Sequence, residues 1–248
     1  MAKLNEIREF LMELFDKDVL EKAVEEYAFK FDFDREIKKI AYSTNLTPFT
    51  INKASDFCAD LLMTHHDAWE FLGAQRQYCY KLLNDKKINH CFIHLLLDAA
   101  QFGTSASIAD ALNLENKKFA VLYSGLLVGV AGDIKELPFE KLVKKCETVL
   151  CEKVRSFKNN HRNVSRILIT TGGGCETRFI DDAANEHCDT YITGEYNMYL
   201  QHYAEYKKVN LIIGSHTKTE ILGVRSLVDK LSTKFKDIEI FEIIEPSF

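Results

Sequence analysis

The sequence predicts an α/β fold of two similar lobes, each with its own mixed sheet, related by internal duplication. Strand-like and helix-like apolar patterns alternate along the whole chain, and the second half repeats the order of the first. With 248 residues, of which 46% are hydrophobic, the chain is long enough for two such cores. We place the lobes at residues 1–132 and 133–248, with the segment Gly132–Pro138 as the boundary.

Charge and cysteine usage exclude several classes of protein. Lys and Arg total 32 against 37 Asp and Glu, so the chain lacks the basic surplus of a duplex nucleic-acid binder. Its seven cysteines form no C-x-x-C pair, which suits a reducing compartment. The N-terminal stretch is not a secretory signal, and the longest apolar run, Phe119–Gly132, is too short for a membrane helix. We therefore expect a cytoplasmic protein with no membrane or nucleic-acid partner.

The first half alternates helix and strand patterns in a regular order. Its predicted elements are a helix marked by Leu4, Ile7, Leu11 and Leu14, a strand at 39–43, a helix through Ile51 and Ala54, a strand at 60–64, a helix at 69–83, a β-rich segment at 88–97 and a helix through Ile108 and Ala111. Strands separated by helices in this way favour parallel pairing.

The second half contains three segments that match the first half in the same order. The matches are Arg166–Thr170 with Lys39–Ser43, Asp189–Thr193 with Asp60–Thr64, and Lys-Lys-Val-Asn210 with Lys-Lys-Ile-Asn89. In the second match the Asp and the Thr fall in register. Three ordered matches favour duplication over chance similarity between generic α/β segments. We expect the strand ends of the two lobes to face a shared cleft.

Histidines and carboxylates follow the buried strands. His65 and His66 come directly after the strand at 60–64, and His94 and Asp98 are four residues apart in the next β-rich segment. In an extended strand, positions i and i+4 point to the same face, so we expect His94 and Asp98 to lie side by side. Taken singly, the pairs are also compatible with core histidines or with a structural hydrogen bond.

A third pair stands where the apolar strand at 209–213 ends and a helix begins. His216 and Glu220 are four residues apart and share one helix face. Imidazole and carboxylate together are the ligands expected for Zn, Mn or Fe(II). Five ligands exceed what one catalytic zinc needs, whereas two metal ions that share a carboxylate accommodate them. The pattern therefore predicts a metal cleft between the lobes.

As an ordered set, these motifs resemble the GTP cyclohydrolase 1 type 2 homologue family, also called the NIF-three-like proteins. The matching segments are Asp60–His66, His94–Asp98, Thr171–Gly174, Ile192–Glu195, Ser215–Glu220 and Ile243–Pro246. The resemblance covers the chain from about Ile37 onward. It implies two α/β lobes, a dinuclear metal site between them and a ring-shaped homohexamer.

The resemblance also implies which residues would bind each metal ion. One ion would take His66 and Asp98, the other would take His65 and His216, and Glu220 would bridge them. The cofactors would be two divalent ions, either Zn, Fe or Mn. The chain departs from the family pattern in its Gly-free segment Glu25–Asp34, at Asp67 after the histidine pair, and at Ser215 before the last histidine; none of these removes a ligand.

Three further positions have open roles. His94 is a candidate catalytic proton shuttle, or alternatively a group that orients Asp98. Glu195, at the end of the strand that matches the one before His66, is a candidate catalytic residue or a structural hydrogen-bonding group. The segment Gly172–Gly174 could approach a phosphate or form a plain tight turn.

These observations predict a metal-dependent hydrolase of a small nucleotide-like substrate. The family resemblance implies opening of a purine ring by a metal-bound hydroxide. A phosphatase or phosphodiesterase would use the same ligands, and a non-enzymatic ring that binds metal or a small ligand is a third alternative. Although the chain has a net charge of −5, two divalent ions would make the cleft attractive to anions.

Overall fold

The computed structural model describes residues 2–246 and is a mixed α/β protein with two mixed sheets, as the sequence predicts. The chain divides into two compact units. Unit 1 comprises Met1–Leu97 and Val224–Phe248, and unit 2 comprises Asp98–Gly223. This division differs from the expected boundary at residue 132. A single strand, Leu126–Leu137, runs through that position and pairs on both sides, so the chain does not leave its sheet there.

Within residues 2–246 the chain forms thirteen strands and ten α-helices. The strands are β1 Ala2–Lys3, β2 Tyr27–Lys30, β3 Glu36–Ile37, β4 Lys39–Asn45, β5 Leu61–His66, β6 Asn89–Ile93, β7 Glu115–Tyr123, β8 Leu126–Leu137, β9 Arg155–Phe157, β10 Val164–Thr170, β11 Thr190–Thr193, β12 Asn210–Ile213 and β13 Glu239–Glu242. The helices are α1 Leu4–Glu13, α2 Lys17–Lys22, α3 Pro48–Asp56, α4 Gly73–Lys86, α5 Leu95–Asp98, α6 Thr104–Ala111, α7 Phe139–Leu150, α8 Arg178–Asn185, α9 Met198–Lys207 and α10 His216–Lys234. Among the described residues, no helix combines the length and apolar character needed to span a membrane.

Unit 1 is built on a five-stranded sheet in the order β13-β4-β5-β6-β2. The first four strands are parallel to one another, and β2 is antiparallel to β6. Both β4 and β5 are almost entirely buried, as expected for parallel strands covered on both faces. Helices α3 and α4 pack together, and Ile51, Ala54 and Leu83 form a core with strand residues of the sheet.

Unit 2 is built on a six-stranded sheet in the order β7-β8-β10-β11-β12-β9. Strands β10, β11 and β12 are parallel, while β7, β8 and β9 pair antiparallel with their neighbours. Its core includes Leu142, Cys146 and Leu150 from α7, which pack with Ile167 and Ile169 of β10. The spacing of these α7 residues buries one face of the helix and exposes the lysines opposite.

The two sheets share one plan. The run β4-β5-β6 with antiparallel β2 at its edge has the same order and directions as the run β10-β11-β12 with antiparallel β9. The register agrees as well. Asn89 pairs with Leu61 in unit 1, and Asn210 pairs with the equivalent Thr190 in unit 2. The matching strands are the segments in which the sequence repeats, which supports duplication as their origin.

Equivalent aspartates fix the start of both parallel runs. Asp60 Oδ2 accepts hydrogen bonds from the backbone N–H groups of Lys38 and Lys39, at 2.8 and 3.0 Å. Asp189 Oδ2 accepts from the N–H groups of Ser165 and Arg166, at 2.8 and 3.2 Å. Each carboxylate therefore joins the loop before one strand to the start of its neighbour, which explains the Asp found in register in both halves.

The expected extended segment at 88–97 is correct only in its first part. Strand β6 ends at Ile93, and Leu95–Asp98 forms a helical turn, so His94 and Asp98 do not share a strand face. The three leucines of this turn are all buried. A short buried apolar run has no periodicity that separates strand from helix, which is why the sequence pattern was misleading here.

The equivalent aspartates Asp60 and Asp189 lead to a prediction about stability. We expect Asp189→Ala to lower the free energy of unfolding by about 2–4 kcal/mol, because it removes a buried carboxylate that accepts from the Ser165 N–H and from the buried Thr190 hydroxyl. Asp60→Ala should cost less, about 1–2 kcal/mol, because Asp60 is partly exposed to water. Urea unfolding measures both. The control Asp85→Ala removes an exposed carboxylate and should change stability by less than about 0.5 kcal/mol; equal effects in all three variants would contradict the assignment.

Candidate functional site

Three histidines of unit 1 meet where two parallel strands end. His65 and His66 are the last residues of β5, and His94 directly follows β6. Because β5 and β6 are parallel neighbours, their carboxyl ends lie at one edge of the sheet. The ring centroids of His94 lie 4.9 Å from His65 and 5.1 Å from His66. Each ring offers a nitrogen within 4.8 Å of the others, so the cluster could hold a metal ion.

Each of the two histidines of β5 has its Nδ1 hydrogen-bonded to an oxygen atom of a neighbouring residue. His65 Nδ1 lies 2.9 Å from the carbonyl oxygen of Ile93, and His66 Nδ1 lies 2.8 Å from Asn45 Oδ1. These oxygens only accept hydrogen bonds, so Nδ1 donates in both cases. In the neutral ring the lone pair then resides on Nε2, which is the arrangement found in histidines that bind metals.

The third histidine is held by a carboxylate. His94 Nδ1 donates to Glu26 Oε2 at 2.5 Å, and this hydrogen bond lowers the pKa of Glu26 against the opposing effect of burial. The backbone N–H of His94 also donates to the carbonyl of Glu26, at 2.9 Å. Sequence reasoning missed Glu26. Its place beside His94 follows from the antiparallel pairing of Tyr27 with Ile93, which no local pattern reveals.

In unit 2, His216 and Glu220 occupy one face of the first turn of α10, which confirms that they share a helix face. His216 Nε2 lies 3.1 Å from Glu220 Oε1, and His216 Nδ1 donates to Glu195 Oε1 at 2.7 Å. Burial lowers the pKa of His216, but its hydrogen bond with Glu195 and its close contact with the Glu220 carboxylate outweigh burial and raise the pKa to about 10. The hydrogen bond from His216 lowers the pKa of Glu195. Glu195 therefore orients His216.

Helix α10 is fixed at its N-terminus by a second carboxylate that sequence reasoning missed. Glu152 accepts from the backbone N–H of Ser215 at 2.6 Å and from its Oγ at 2.8 Å. Ser215 Oγ in turn accepts from the backbone N–H of Lys218 at 3.3 Å, as an N-cap residue does. The serine that departs from the family pattern thus has a structural role in starting the helix that carries His216.

The glycine run after β10 makes room for these side chains. Gly172 has a φ of +60°, and a Cβ at this position would overlap Glu220 Oε1 and come within 2.9 Å of His216 Nε2. The backbone N–H of Gly172 donates to Thr219 Oγ1 at 3.0 Å. The glycine run therefore forms a tight bend whose backbone lies directly against the two candidate ligands of α10.

Asp98 lies at the end of α5 in a chain of hydroxyl groups. Its Oδ1 accepts from Thr104 Oγ1 at 2.5 Å, and Thr104 Oγ1 accepts from Thr171 Oγ1 at 2.8 Å. Thr171 directly precedes Gly172, so this chain links Asp98 to the loop that contacts Glu220. The two threonines carry no metal-ligand signal of their own, and the sequence offered no reason to single out Thr104.

A cavity of about 510 Å³ in unit 1 opens beside the histidine cluster. Its lining includes His66, His94, Glu26, Trp69 and Arg76. The Trp69 ring lies 5.7 Å from the His66 ring and 6.0 Å from the ring of Phe71, which extends into solvent. The cavity thus joins an aromatic wall to the imidazoles and is large enough for a small-molecule substrate.

The donor atoms in each unit suit divalent transition metals. Unit 1 presents three imidazoles with Nδ1 held, and unit 2 presents an imidazole and a carboxylate against a glycine whose missing side chain leaves space for them. Imidazole and carboxylate together favour Zn, Mn or Fe(II). The residues that the sequence singled out therefore fit the cofactor that it predicts.

Known proteins match this chain over most of its length. A model of the Duf34/NIF3 (NGG1p interacting factor 3) family matches residues 2–246. A Pyrococcus horikoshii protein named GTP cyclohydrolase 1 type 2 homolog is 32% identical over 207 residues, covering 81% of this chain and 82% of the relative. A Pyrococcus abyssi protein of the same name is 30% identical over 219 residues, covering 83% of this chain and 84% of the relative.

A solved structure shares the fold. Reduced HcgD from Methanocaldococcus jannaschii superposes with a TM-score of 0.82 over 98% of each chain, at 24% sequence identity. At this identity the likeness concerns the backbone architecture. It shows that the arrangement of elements described above recurs in an experimental structure.

The contact at Gly172 gives a prediction with a matched control. We expect Gly125→Ala to lower the free energy of unfolding by about 1–2 kcal/mol, because Gly125 has a φ of +80° but open space around its Cβ. Gly172→Ala should cost a further 1–3 kcal/mol or so, since its Cβ would also displace the Glu220 carboxylate. Chemical denaturation of both variants measures the difference. Equal losses would show that Glu220 does not depend on the glycine.

Proposed function

Because the chain belongs to the Duf34/NIF3 family, we propose that it is a dinuclear divalent-metal-dependent hydrolase of a nucleotide. One observation carries the metal proposal: an oxygen acceptor holds Nδ1 in His65, His66 and His216, which leaves Nε2 of each ring as the atom for ligation. A fourth imidazole, that of His94, is held through Nδ1 by the Glu26 carboxylate. The order of the histidine-containing motifs along the sequence also supports a metal site.

The proposed ligands follow the motifs. His66 and Asp98 would hold one ion, His65 and His216 would hold the other, and Glu220 would be shared between them. Each ligand has a neighbour that positions it within its own unit: Asn45 for His66, the Ile93 carbonyl for His65, Thr104 for Asp98, and both Glu195 and Gly172 for the pair on α10. Loss of such a supporting contact typically weakens metal binding by about 10–100-fold.

Divalent ions at this site would supply Lewis acidity and a water molecule of lowered pKa. The protein's own contribution centres on His94, whose Nδ1 donates to the Glu26 carboxylate. That carboxylate stabilises a protonated His94 ring, so its Nε2 can accept a proton from water or substrate and return it later. His94 is therefore the proposed proton shuttle, with Glu26 as its positioning residue.

A nucleotide is the proposed substrate class. The cavity beside His66 and His94 has an aromatic wall at Trp69, on which a planar base can pack. The name of these relatives, GTP cyclohydrolase 1 type 2 homolog, points to a purine nucleotide whose ring is opened by hydrolysis. Ring opening would release formate, whereas phosphoester cleavage at the same metals would release phosphate.

Metal content tests the proposed site. We expect His65→Ala and Glu220→Ala each to reduce the bound metal of protein loaded with Zn²⁺ or Mn²⁺ to about one ion or fewer per chain, because each removes a ligand. Elemental analysis after dialysis measures the stoichiometry. His161→Ala, which removes an exposed histidine, should leave it unchanged. Full metal content in both ligand variants would refute the ligand assignment.

Product analysis tests the proposed reaction. Metal-loaded protein should release formate from GTP, and His94→Gln should slow that release by about 10²–10⁴-fold while retaining bound metal. Phosphate without formate would replace ring opening by phosphatase or phosphodiesterase activity. If the metal is fully bound and neither product forms across a nucleotide panel, the hydrolase proposal fails and a binding role takes its place.

A further inference from the structure

We propose that Glu245, close to the C-terminus, sets the metal-binding nitrogen of His66 by fixing the side-chain amide of Asn45. Glu245 is a positioning residue in this proposal, because it acts on His66 through Asn45. The inference rests on the proposed function only in treating Nε2 of His66 as a metal ligand. The hydrogen-bond relay itself belongs to unit 1 and is testable in metal-free protein.

The C-terminal segment is held against strand β4. The backbone N–H of Ile243 donates to the carbonyl of Tyr42 at 2.8 Å, and the Ile243 side chain is buried in the core of unit 1. Two residues later, Glu245 Oε1 accepts from the backbone N–H groups of Thr44 and Asn45, at 2.8 and 3.0 Å. The carboxylate is thus fixed at the end of β4 by backbone atoms.

The second oxygen of this carboxylate determines which way the Asn45 amide faces. Glu245 Oε2 accepts from Asn45 Nδ2 at 2.8 Å. An ionised carboxylate only accepts hydrogen bonds, so the amide must turn its NH₂ group toward Glu245. Its oxygen then faces His66, where Asn45 Oδ1 lies 2.8 Å from His66 Nδ1. The relay therefore places the hydrogen of the neutral His66 ring on Nδ1 and the lone pair on Nε2.

His66 depends on such a relay more than its neighbours do. His65 donates to a backbone carbonyl and His94 to a carboxylate, and both of these acceptors present oxygen in any orientation. An asparagine amide has two orientations that differ by exchange of its oxygen and nitrogen. In the flipped orientation Nδ2 would face His66 Nδ1, and the ring would carry its hydrogen on Nε2. That hydrogen would prevent ligation, so the orientation of one amide controls the ligand.

Replacing Glu245 by glutamine breaks the relay without a large change in shape. The side-chain amide that E245Q introduces has one accepting and one donating end. It can accept from the backbone N–H groups or from Asn45 Nδ2, but not from both as the carboxylate does. We expect E245Q to weaken binding of Zn²⁺ about 10–100-fold, the range that loss of such a supporting contact produces.

A second substitution should restore the relay. In the double variant N45D/E245Q the new amide donates to the new carboxylate, whose other oxygen accepts from His66 Nδ1. We expect this variant to recover most of the Zn²⁺ affinity lost in E245Q. The matched control E239Q removes one negative charge from the same C-terminal segment at an exposed position, and it should leave the affinity unchanged.

Nitrogen NMR of the imidazoles in metal-free protein shows which ring nitrogen carries the hydrogen. This property would not change if Glu245 only stabilised the fold. The His66 ring, assigned by comparison with His66→Gln, should carry its hydrogen on Nδ1 in the wild type and in N45D/E245Q. In E245Q a substantial fraction should carry it on Nε2. Zn²⁺ titrations and unfolding curves of the same samples separate ligand orientation from stability.

The outcomes separate this proposal from the proposed function. If the wild-type ring carries its hydrogen on Nε2, or if E245Q keeps both the wild-type tautomer and the wild-type affinity, the relay is refuted. If the wild type binds no metal but shows the predicted tautomers, the metal site fails and the relay stands. If E245Q does not fold, the wild-type spectrum and the affinity of the double variant decide the question.

Discussion

An oxygen atom that accepts a hydrogen bond from Nδ1 is the interaction on which the candidate site depends. It recurs at four histidines, and each time the acceptor comes from a different part of the fold: the Ile93 carbonyl, the Asn45 amide, and the Glu26 and Glu195 carboxylates. Each contact fixes the ring orientation and, in a neutral ring, the nitrogen that carries the lone pair. Without them the same histidines would sample two tautomers and several rotamers, and their sequence spacing would have no chemical consequence.

The two units use one scaffold for different purposes at their strand ends. Asp60 and Asp189 fix equivalent parallel runs in the same way, so the framework is shared. The two repeats share the threonine at the end of the matching segments and differ after it. His65 and His66 in unit 1 occupy the positions that Gly194 and Glu195 occupy in unit 2. A side chain at Gly194 would collide with Thr219 and with the backbone of Gly172. Unit 2 therefore cannot hold a second histidine pair, and instead presents Glu195 to orient His216.

Local sequence patterns located most of the parallel strands and the ligand candidates. Strand β5 with its two histidines and the start of α10 with His216 and Glu220 were predictable because burial and helical spacing repeat within a few residues. The pattern was misleading at His94 and Asp98, where a buried leucine run forms a helical turn instead of continuing the strand. The boundary between the units also differs from the one expected at residue 132, because β8 continues through that position.

The sequence by itself therefore determined the fold class, the repeated plan and the kinds of side chain available for chemistry, since all three are written in composition, periodicity and motif order. Only the tertiary structure decided which atoms of those side chains are presented. Glu26 meets His94 through antiparallel pairing, and Glu245 reaches Asn45 through a tail that follows β4. Hydrogen bonds between residues about 70 and 200 positions apart depend on how strands pair, and no local pattern encodes that pairing.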